Sequence, residues 1–187
     1  KAVARLVRAG NPAGMVTRFL ASVHDGLYVG AARDAEAALG PPPYPYALLV
    51  LGSGARRESM LRTDQDHALV LADDPPQGAS TWFAALADRL TTTLEGCGLP
   101  RCRGGVMATN PAWRAPLGAW QDRFVGWIEQ PEEDALLEAT FFDFRRFTAS
   151  CTPSRRCGGS SGERPATAGS SDAWPRRPSG AGWRRGS

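Results

Sequence analysis

Residues 48–73, LLVLGSGARRESMLRTDQDHALVLAD, set two short apolar runs around a glycine-serine turn and a pair of aspartates. The first run, Ala47 to Leu51, is bounded by Pro45 and Gly52, and the second, Ala68 to Leu71, follows Asp66. Short apolar runs closed by turn residues read as buried strands. Gly52 and Ser53 carry little side-chain bulk, so backbone N–H groups there can approach an anionic ligand closely. The segment Arg56 to Leu61 reads as a short helix whose N-terminus points back at the turn and adds a favourable potential for phosphate.

Asp64 and Asp66 stand two residues apart, and in an extended chain such residues project from one face. Two adjacent carboxylates repel unless a cation lies between them. A hard divalent ion such as Mg²⁺ prefers carboxylate oxygens and keeps open positions for water or a substrate phosphate. Two such ions, one at an attacking hydroxyl and one at a leaving pyrophosphate, give metal-assisted nucleotidyl transfer. The same residues also read as a polar turn at the start of a strand, where Asp is common.

Gly52-Ser53, ten intervening residues and then Asp64-Gln65-Asp66 resemble the signature of the DNA polymerase beta-like nucleotidyltransferase superfamily, a Gly-Ser or Gly-Gly turn followed by a D-x-D pair on the next strand. The fuller series Gly52, Ser53, Ala55, Arg56, Glu58, Thr63, Asp64, Gln65 and Asp66 is similar to the nucleotidyltransferase module that bacterial signalling proteins carry beside CBS and cyclic-nucleotide-binding domains. That module is related to the N-terminal domain of the PII-protein uridylyltransferases. The similarity runs through Gly40-Pro41-Pro42-Pro43 upstream and Gly104-Gly105-Val106-Met107-Ala108, Asn110-Pro111 and Trp113-Arg114 downstream. It ends near Phe141-Phe142-Asp143-Phe144-Arg145, so it covers roughly residues 15–145.

The resemblance implies a nucleotidyltransferase-type α/β (α+β) fold, with a small mixed sheet flanked by helices and a long N-terminal helix. It implies that Gly52 and Ser53 contact a nucleoside triphosphate, that Asp64 and Asp66 are the catalytic pair ligating Mg²⁺ or Mn²⁺, and that Arg56 and Glu58 belong to the nucleotide site. The implied activity, like that of protein-PII uridylyltransferase, moves a nucleoside monophosphate onto a hydroxyl of a protein or small molecule. The alternative is a catalytically silent nucleotide-binding or protein-interaction module in signal transduction. Taken on its own, Arg56 reads either as a phosphate fork or as a surface cation paired with Glu58, and Glu58 as a partner orienting Arg56 or Arg62. His67 stands where the module has Asn and is expected to face away from the aspartates. Active members of the superfamily supply a third carboxylate from a later strand, yet Gly104 to Thr109 contains no Asp or Glu. Metal binding is then weaker, or another carboxylate such as Asp143 completes the site.

The 187 residues, 42% of them hydrophobic, suffice for one domain with a real core. The net charge of +3 is unevenly spread: from Arg146 onward eight arginines face only Glu163 and Asp172, leaving residues 1–145 at −3. A basic nucleic-acid-binding face is therefore not indicated. Residues 148–187 contain no Leu, Ile, Val or Met and are rich in Ser, Gly, Pro and Arg, a composition expected to be disordered. It fits an out-of-frame stretch of a GC-rich gene, with an Arg-rich tail for an acidic partner as the alternative. Because the chain begins at Lys1, an upstream portion is also expected. Cys97 and Cys102, Cys151 and Cys157, with His24 and His67, do not make the spacing of a paired zinc knuckle. Reduced thiols and a cytoplasmic location are expected, and no apolar run reaches the roughly 20 residues of a membrane helix.

Three units follow: an N-terminal helical segment over 1–44, a nucleotidyltransferase-like domain over 45–145 and the tail over 146–187. Asn11-Pro12 reads as a capped helix start, with Met15, Phe19 and Val23 as the apolar stripe of a helix ending before Gly40. Ser80 is the expected cap of a helix bearing Phe83, Leu86, Leu90 and Leu94. A strand is expected over Gly105 to Thr109, and Asn110-Pro111 opens a helix whose Leu117, Trp120, Phe124, Trp127 and Ile128 read as core by their spacing. A last short helix runs from Pro131 through Leu136 and Leu137 toward Phe141.

Overall fold

The computed structural model describes residues 2–129 and 142–149. The expected helix from Pro131, Cys151, Cys157 and the chain from residue 150 onward lie outside the described residues.

Both strands expected around the glycine-serine turn are present, each beginning one residue earlier: β1 is Tyr46–Leu51 and β2 is His67–Leu71. They pair antiparallel, with Tyr46 opposite Leu71 and Val50 opposite His67. Two further strands complete a mixed α/β sheet, β3 (Arg114–Pro116) parallel to β2 and β4 (Phe144–Ala149) antiparallel to β1, in the order β3-β2-β1-β4. Tyr46, Leu48 and Leu69 are wholly buried and share one core with Val50 and Leu71. Burying each such side chain contributes about 1.5–3 kcal/mol.

Helix α1 (Ala2–Arg8) precedes a long α2 (Ala13–Leu39). The start of α2 differs from expectation. Asn11 turns back, its amide donating to the Leu6 carbonyl at 2.9 Å, and so closes α1 rather than capping α2. The buried stripe is also displaced. Met15, Phe19 and Val23 are 44%, 39% and 43% exposed, while Val16, Leu20, Ala21, Tyr28, Ala31, Ala32 and Ala35 face inward. The cause is that α2 packs through alanines, whose small volume admits the close approach of a second helix, and alanines weigh little in a hydrophobic pattern. That second helix, beyond a one-turn helix α3 (Gly52–Ala55), is α4 (Ala79–Gly96), which buries Phe83, Leu86, Leu90 and Leu94 as expected. Its N-cap is Gly78 at φ 86°, a left-handed conformation suited to glycine, and Ser80 lies inside the helix.

No strand forms at Gly105 to Thr109. Gly105 is left-handed (φ 70°), the Met107 amide turns back to the Gly105 carbonyl, and the strand beside β2 comes later, at Arg114. Asn110 caps a 3₁₀ turn over Pro111–Trp113, its Oδ1 accepting from the Ala112 amide at 3.0 Å, in place of the expected α-helix start. The helix follows as α5 (Leu117–Glu129), in which only Trp120 is fully buried. Its indole donates to the Leu69 carbonyl at 3.2 Å. Phe124 and Trp127 stack with Phe142 at the periphery, and Ile128 is 68% exposed, so the aromatic face of α5 is only partly core. The expected boundary between 145 and 146 falls within β4, and α2 lends Tyr28, Ala31, Ala32 and Ala35 to the core of β1 and β2. Among the described residues no helix is long and apolar enough to cross a membrane.

Beneath β2 lies a closed polar cluster of Gln65, His67 and Thr91, all fully buried. The Gln65 amide donates to the Thr91 and Leu99 carbonyls at 3.2 and 3.0 Å. The Ala108 amide donates to His67 Nδ1 at 3.3 Å, which fixes the proton on Nε2, and Nε2 then donates to Gln65 Oε1 at 3.2 Å. This arrangement requires a neutral ring, and burial pushes the His67 pKa down to about 3. Unfolded histidine titrates near 6.5. The contribution is therefore complete above about pH 6.5 and is lost as pH falls toward 3, at about 1.4 kcal/mol per pH unit. His24, lowered by burial against the opposing charge of Asp25, acts in the same direction. Urea unfolding should show a stability about 2 kcal/mol lower at pH 5 than at pH 7.5, with much of the difference absent in His67→Asn. Equal pH dependence in the two proteins would refute the assignment.

Candidate active site

The glycine-serine turn is built by two glycines for different reasons. Gly52 leaves β1 at φ 55°, where a side chain is strained. Gly54 lies so close to β1 that a Cβ atom there would stand 2.6 Å from Val50 Cγ1. Between them α3 makes a single turn, closed by the Arg56 amide donating to the Gly52 carbonyl at 3.2 Å. Arg57 then adopts φ 62° and ends it. The expected helix over Arg56 to Leu61 is accordingly absent: the helical turn begins at Gly52 itself, and residues 58–61 are irregular with Met60 and Leu61 exposed.

Asp64-Gln65-Asp66 is an extended segment leading into β2. The Leu51 amide donates to the Asp66 carbonyl at 3.0 Å, continuing the β1–β2 ladder to the edge of the turn, while the Gln65 amide donates to Pro100. Alternation sends Gln65 and His67 into the core, so the two carboxylates take the other side. His67 thus faces away from them, as expected. Ser53, Gly54, Thr63, Asp64 and Asp66 line one cleft, whose inner wall includes Tyr28 of α2.

Burial raises the proton affinity of Asp66, the neighbouring charge of Asp64 raises it further, and a hydrogen bond from the Cys102 thiol opposes both. The Tyr28 hydroxyl is held above its ordinary range by burial and then by the charges of Asp66 and Asp64. Cys102 is pushed up to about 11 by burial and by its bond to Asp66. Donor atoms of Asp64, Asp66 and Cys102 lie within 4.8 Å of one another, the one such group of three among the described residues. Asp143 is not in it.

Asp143 instead receives Arg56 Nη1 at 2.6 Å, while Arg56 Nε donates to Glu58 at 2.8 Å. Arg56 therefore sits in the open between two carboxylates, and these raise its pKa, Glu58 first. A second arginine, Arg145 of β4, grips the turn and lines the same cleft. Its guanidinium donates to the Gly54 and Ala55 carbonyls at 3.2 and 3.3 Å and to both oxygens of Asp25 at 2.6 and 3.1 Å, stacked 4.3 Å over Phe147. Asp25 of α2 also receives Arg57 at 2.6 Å, which secures the left-handed residue. Asp25, Cys102 and Tyr28 carry no sequence signal for this cleft. Cys102 is 36 positions from Asp66, and Asp25 is one of several carboxylates on a helix.

The fold is that of an α+β nucleotidyltransferase-type domain. Residues 1–134 match the family described as Putative nucleotidyltransferase DUF294, and the chain belongs to that family. No curated protein and no solved structure matches the chain. Asp143 and Arg145 lie beyond the matched residues.

Two outcomes test this construction. Gly54→Ala should cost about 1–3 kcal/mol by overpacking, and far less in a Val50→Ala background, as measured by a double-mutant cycle in urea. Additive costs would show that Val50 is not the obstacle. Arg145→Ala leaves the α3 carbonyls and Asp25 without their shared donor and should lower stability by about 2–3 kcal/mol. Arg145→Lys, lacking the planar fork, should recover less than half. Wild-type stability in Arg145→Ala would sink this role.

Proposed function

We propose that the domain transfers a nucleoside monophosphate from a nucleoside triphosphate to an acceptor hydroxyl, releasing pyrophosphate. The observation that carries this reading is the shared cleft of Ser53, Gly54, Asp64 and Asp66 in a chain of a nucleotidyltransferase family. The turn at Gly52 and Ser53 holds the triphosphate on the Ser53–Gly54 side that lines the cleft, while Gly52 supplies the left-handed bend and its own amide donates to the Asp143 carbonyl. Asp64 and Asp66 hold Mg²⁺ or Mn²⁺; two carboxylates on one face of an extended segment suit a hard cation, and the half-buried Asp66 gains most from a positive partner. When bound, such an ion polarises phosphate oxygens and stabilises the charge of the departing pyrophosphate. Arg56 is exposed and already forked onto carboxylates, and the same donors fit a phosphate, with Glu58 keeping the guanidinium oriented as Asp143 is exchanged for the ligand. The acceptor is a protein side chain, as in the uridylyltransferases the sequence resembles, or a small molecule. A cytoplasmic location goes with this reading.

A second reading, a nucleotide-binding signalling module without turnover, is favoured by one observation. The segment 104–109 offers no carboxylate, and Asp143, the substitute expected from the sequence, is tied to Arg56. Incubation with each labelled triphosphate and Mg²⁺ or Mn²⁺ separates the two. Transfer in the wild type, reduced roughly a hundredfold or more in Asp64→Asn and Asp66→Asn, supports the enzyme. Nucleotide binding without pyrophosphate release supports the module. Metal and nucleotide binding unchanged in both variants would defeat the site itself.

A further inference from the structure

We propose that Cys102 is a third protein ligand of the cation held by Asp64 and Asp66, and that the site therefore takes a borderline divalent ion such as Co²⁺ or Zn²⁺ in preference to Mg²⁺. The inference rests on the reading that the two aspartates hold a metal. It answers the question that reading leaves open, namely what stands where a third carboxylate would be.

The thiol reaches the aspartates through tertiary structure. The Gln65 amide donates to the Pro100 carbonyl at 3.0 Å, and Gln65 bridges Arg101, so the chain entering Cys102 runs alongside the aspartate segment. After Cys102 the chain reverses at Gly105, and the His67 amide takes the Val106 carbonyl at 3.1 Å, which ties the far end of the loop to β2. Both ends of the loop are thus fixed to the strand that carries the aspartates. Sγ and two carboxylate oxygens, one per aspartate, lie within 4.8 Å of one another. Ligand atoms around a tetrahedral ion with bonds of about 2.0–2.3 Å stand roughly 3–4 Å apart, so small side-chain rotations bring the three onto one ion. The thiol thus stands beside both carboxylates. Its proton passes to solvent as the metal–sulfur bond forms.

The donor set decides the preference. Mg²⁺ is bound through oxygen and keeps much of its water, whereas thiolate favours softer ions. Two carboxylates and one thiolate form a three-ligand site with a fourth position open to a phosphate oxygen or water, the pattern of a catalytic and not a structural centre. The other reading of a half-buried cysteine, as a small apolar filler, predicts an effect on stability and none on metals.

The test uses the full chain and Cd²⁺ or Co²⁺ as a spectroscopic probe, since thiolate coordination gives a sulfur-to-metal charge-transfer band that carboxylates cannot. The band should appear with one equivalent of metal in the wild type and persist in Cys97→Ser, Cys151→Ser and Cys157→Ser. It should vanish in Cys102→Ser, whose circular dichroism stays that of the wild type. Calorimetry should show Zn²⁺ affinity falling on the order of tenfold or more in Cys102→Ser, with Mg²⁺ affinity within about twofold, and Cys102→Asp should move the preference back toward Mg²⁺. A band that survives Cys102→Ser, or a wild type that binds Cd²⁺ and Co²⁺ through Asp64 and Asp66 without any band, overturns the inference and leaves the aspartate site standing. Metal binding indifferent to both Asp64→Asn and Asp66→Asn overturns the reading beneath it.

Discussion

The antiparallel register of β1 and β2 is the constraint on which the rest of the site depends. Val50 pairs with His67, and one step further the Leu51 amide meets the Asp66 carbonyl. The strand that ends at Leu51, just before Gly52, and the strand that begins after Asp66 are thereby fixed end against end. The turn and the carboxylate pair, separated by ten residues along the chain, face one cleft. A register slip of one residue would send Asp64 and Asp66 into the core and Gln65 and His67 into the cleft. The buried Gln65–His67–Thr91 cluster opposes such a slip, because its hydrogen bonds close only when those two side chains point inward, and a buried amide or imidazole without partners is costly.

Around this pair of strands the structure adds supports from distant parts of the chain. Arg145 and Asp25 hold α3 in place, linking β4 and α2 to a turn whose own closure is the Arg56, Arg57 and Glu58 amides donating to the Gly52, Gly54 and Ser53 carbonyls. Arg57 is kept in a left-handed conformation by the same aspartate. Charge is thus divided by function. Arg57, Arg145 and Asp25 are consumed in fixing the backbone, although Arg145 and Asp25 also line the cleft beside Asp64 and Asp66, while Arg56 is exposed and paired with Glu58 and Asp143. Raised proton affinity at Asp66, from burial and from Asp64, marks the place where a cation would gain most.

Much of this was legible in the sequence. The apolar runs bounded by Gly and Pro gave both strands within one residue. The D-x-D spacing gave two carboxylates on one side and His67 on the other, because alternation in an extended segment needs no tertiary information. The helical spacing of Phe83, Leu86, Leu90 and Leu94 gave the buried face of α4. Failures came where local signals competed. Asn11 and Ser80 are good caps in isolation, yet Asn11 found an earlier carbonyl and Gly78 took the cap position of α4. Met15, Phe19 and Val23 outweigh alanine in any hydrophobic pattern, yet close packing of α2 on α4 favoured Ala31, Ala32 and Ala35. Val106 and Met107 look like strand residues, but the left-handed Gly105 bends the chain and the strand appears at Arg114.

The sequence by itself determined the identity and spacing of the turn and the aspartates, because those depend on backbone permissiveness at glycine and on a two-residue period. Tertiary structure alone decided what surrounds them. Which cysteine, which arginine and which helix carboxylate reach the cleft depends on how a mixed sheet orders β3, β2, β1 and β4, and on loops that cross dozens of residues. No local period encodes those contacts: Cys102 meets Asp66, and Arg145 meets Asp25 and Gly54, only because burial of one shared core fixes every element at once.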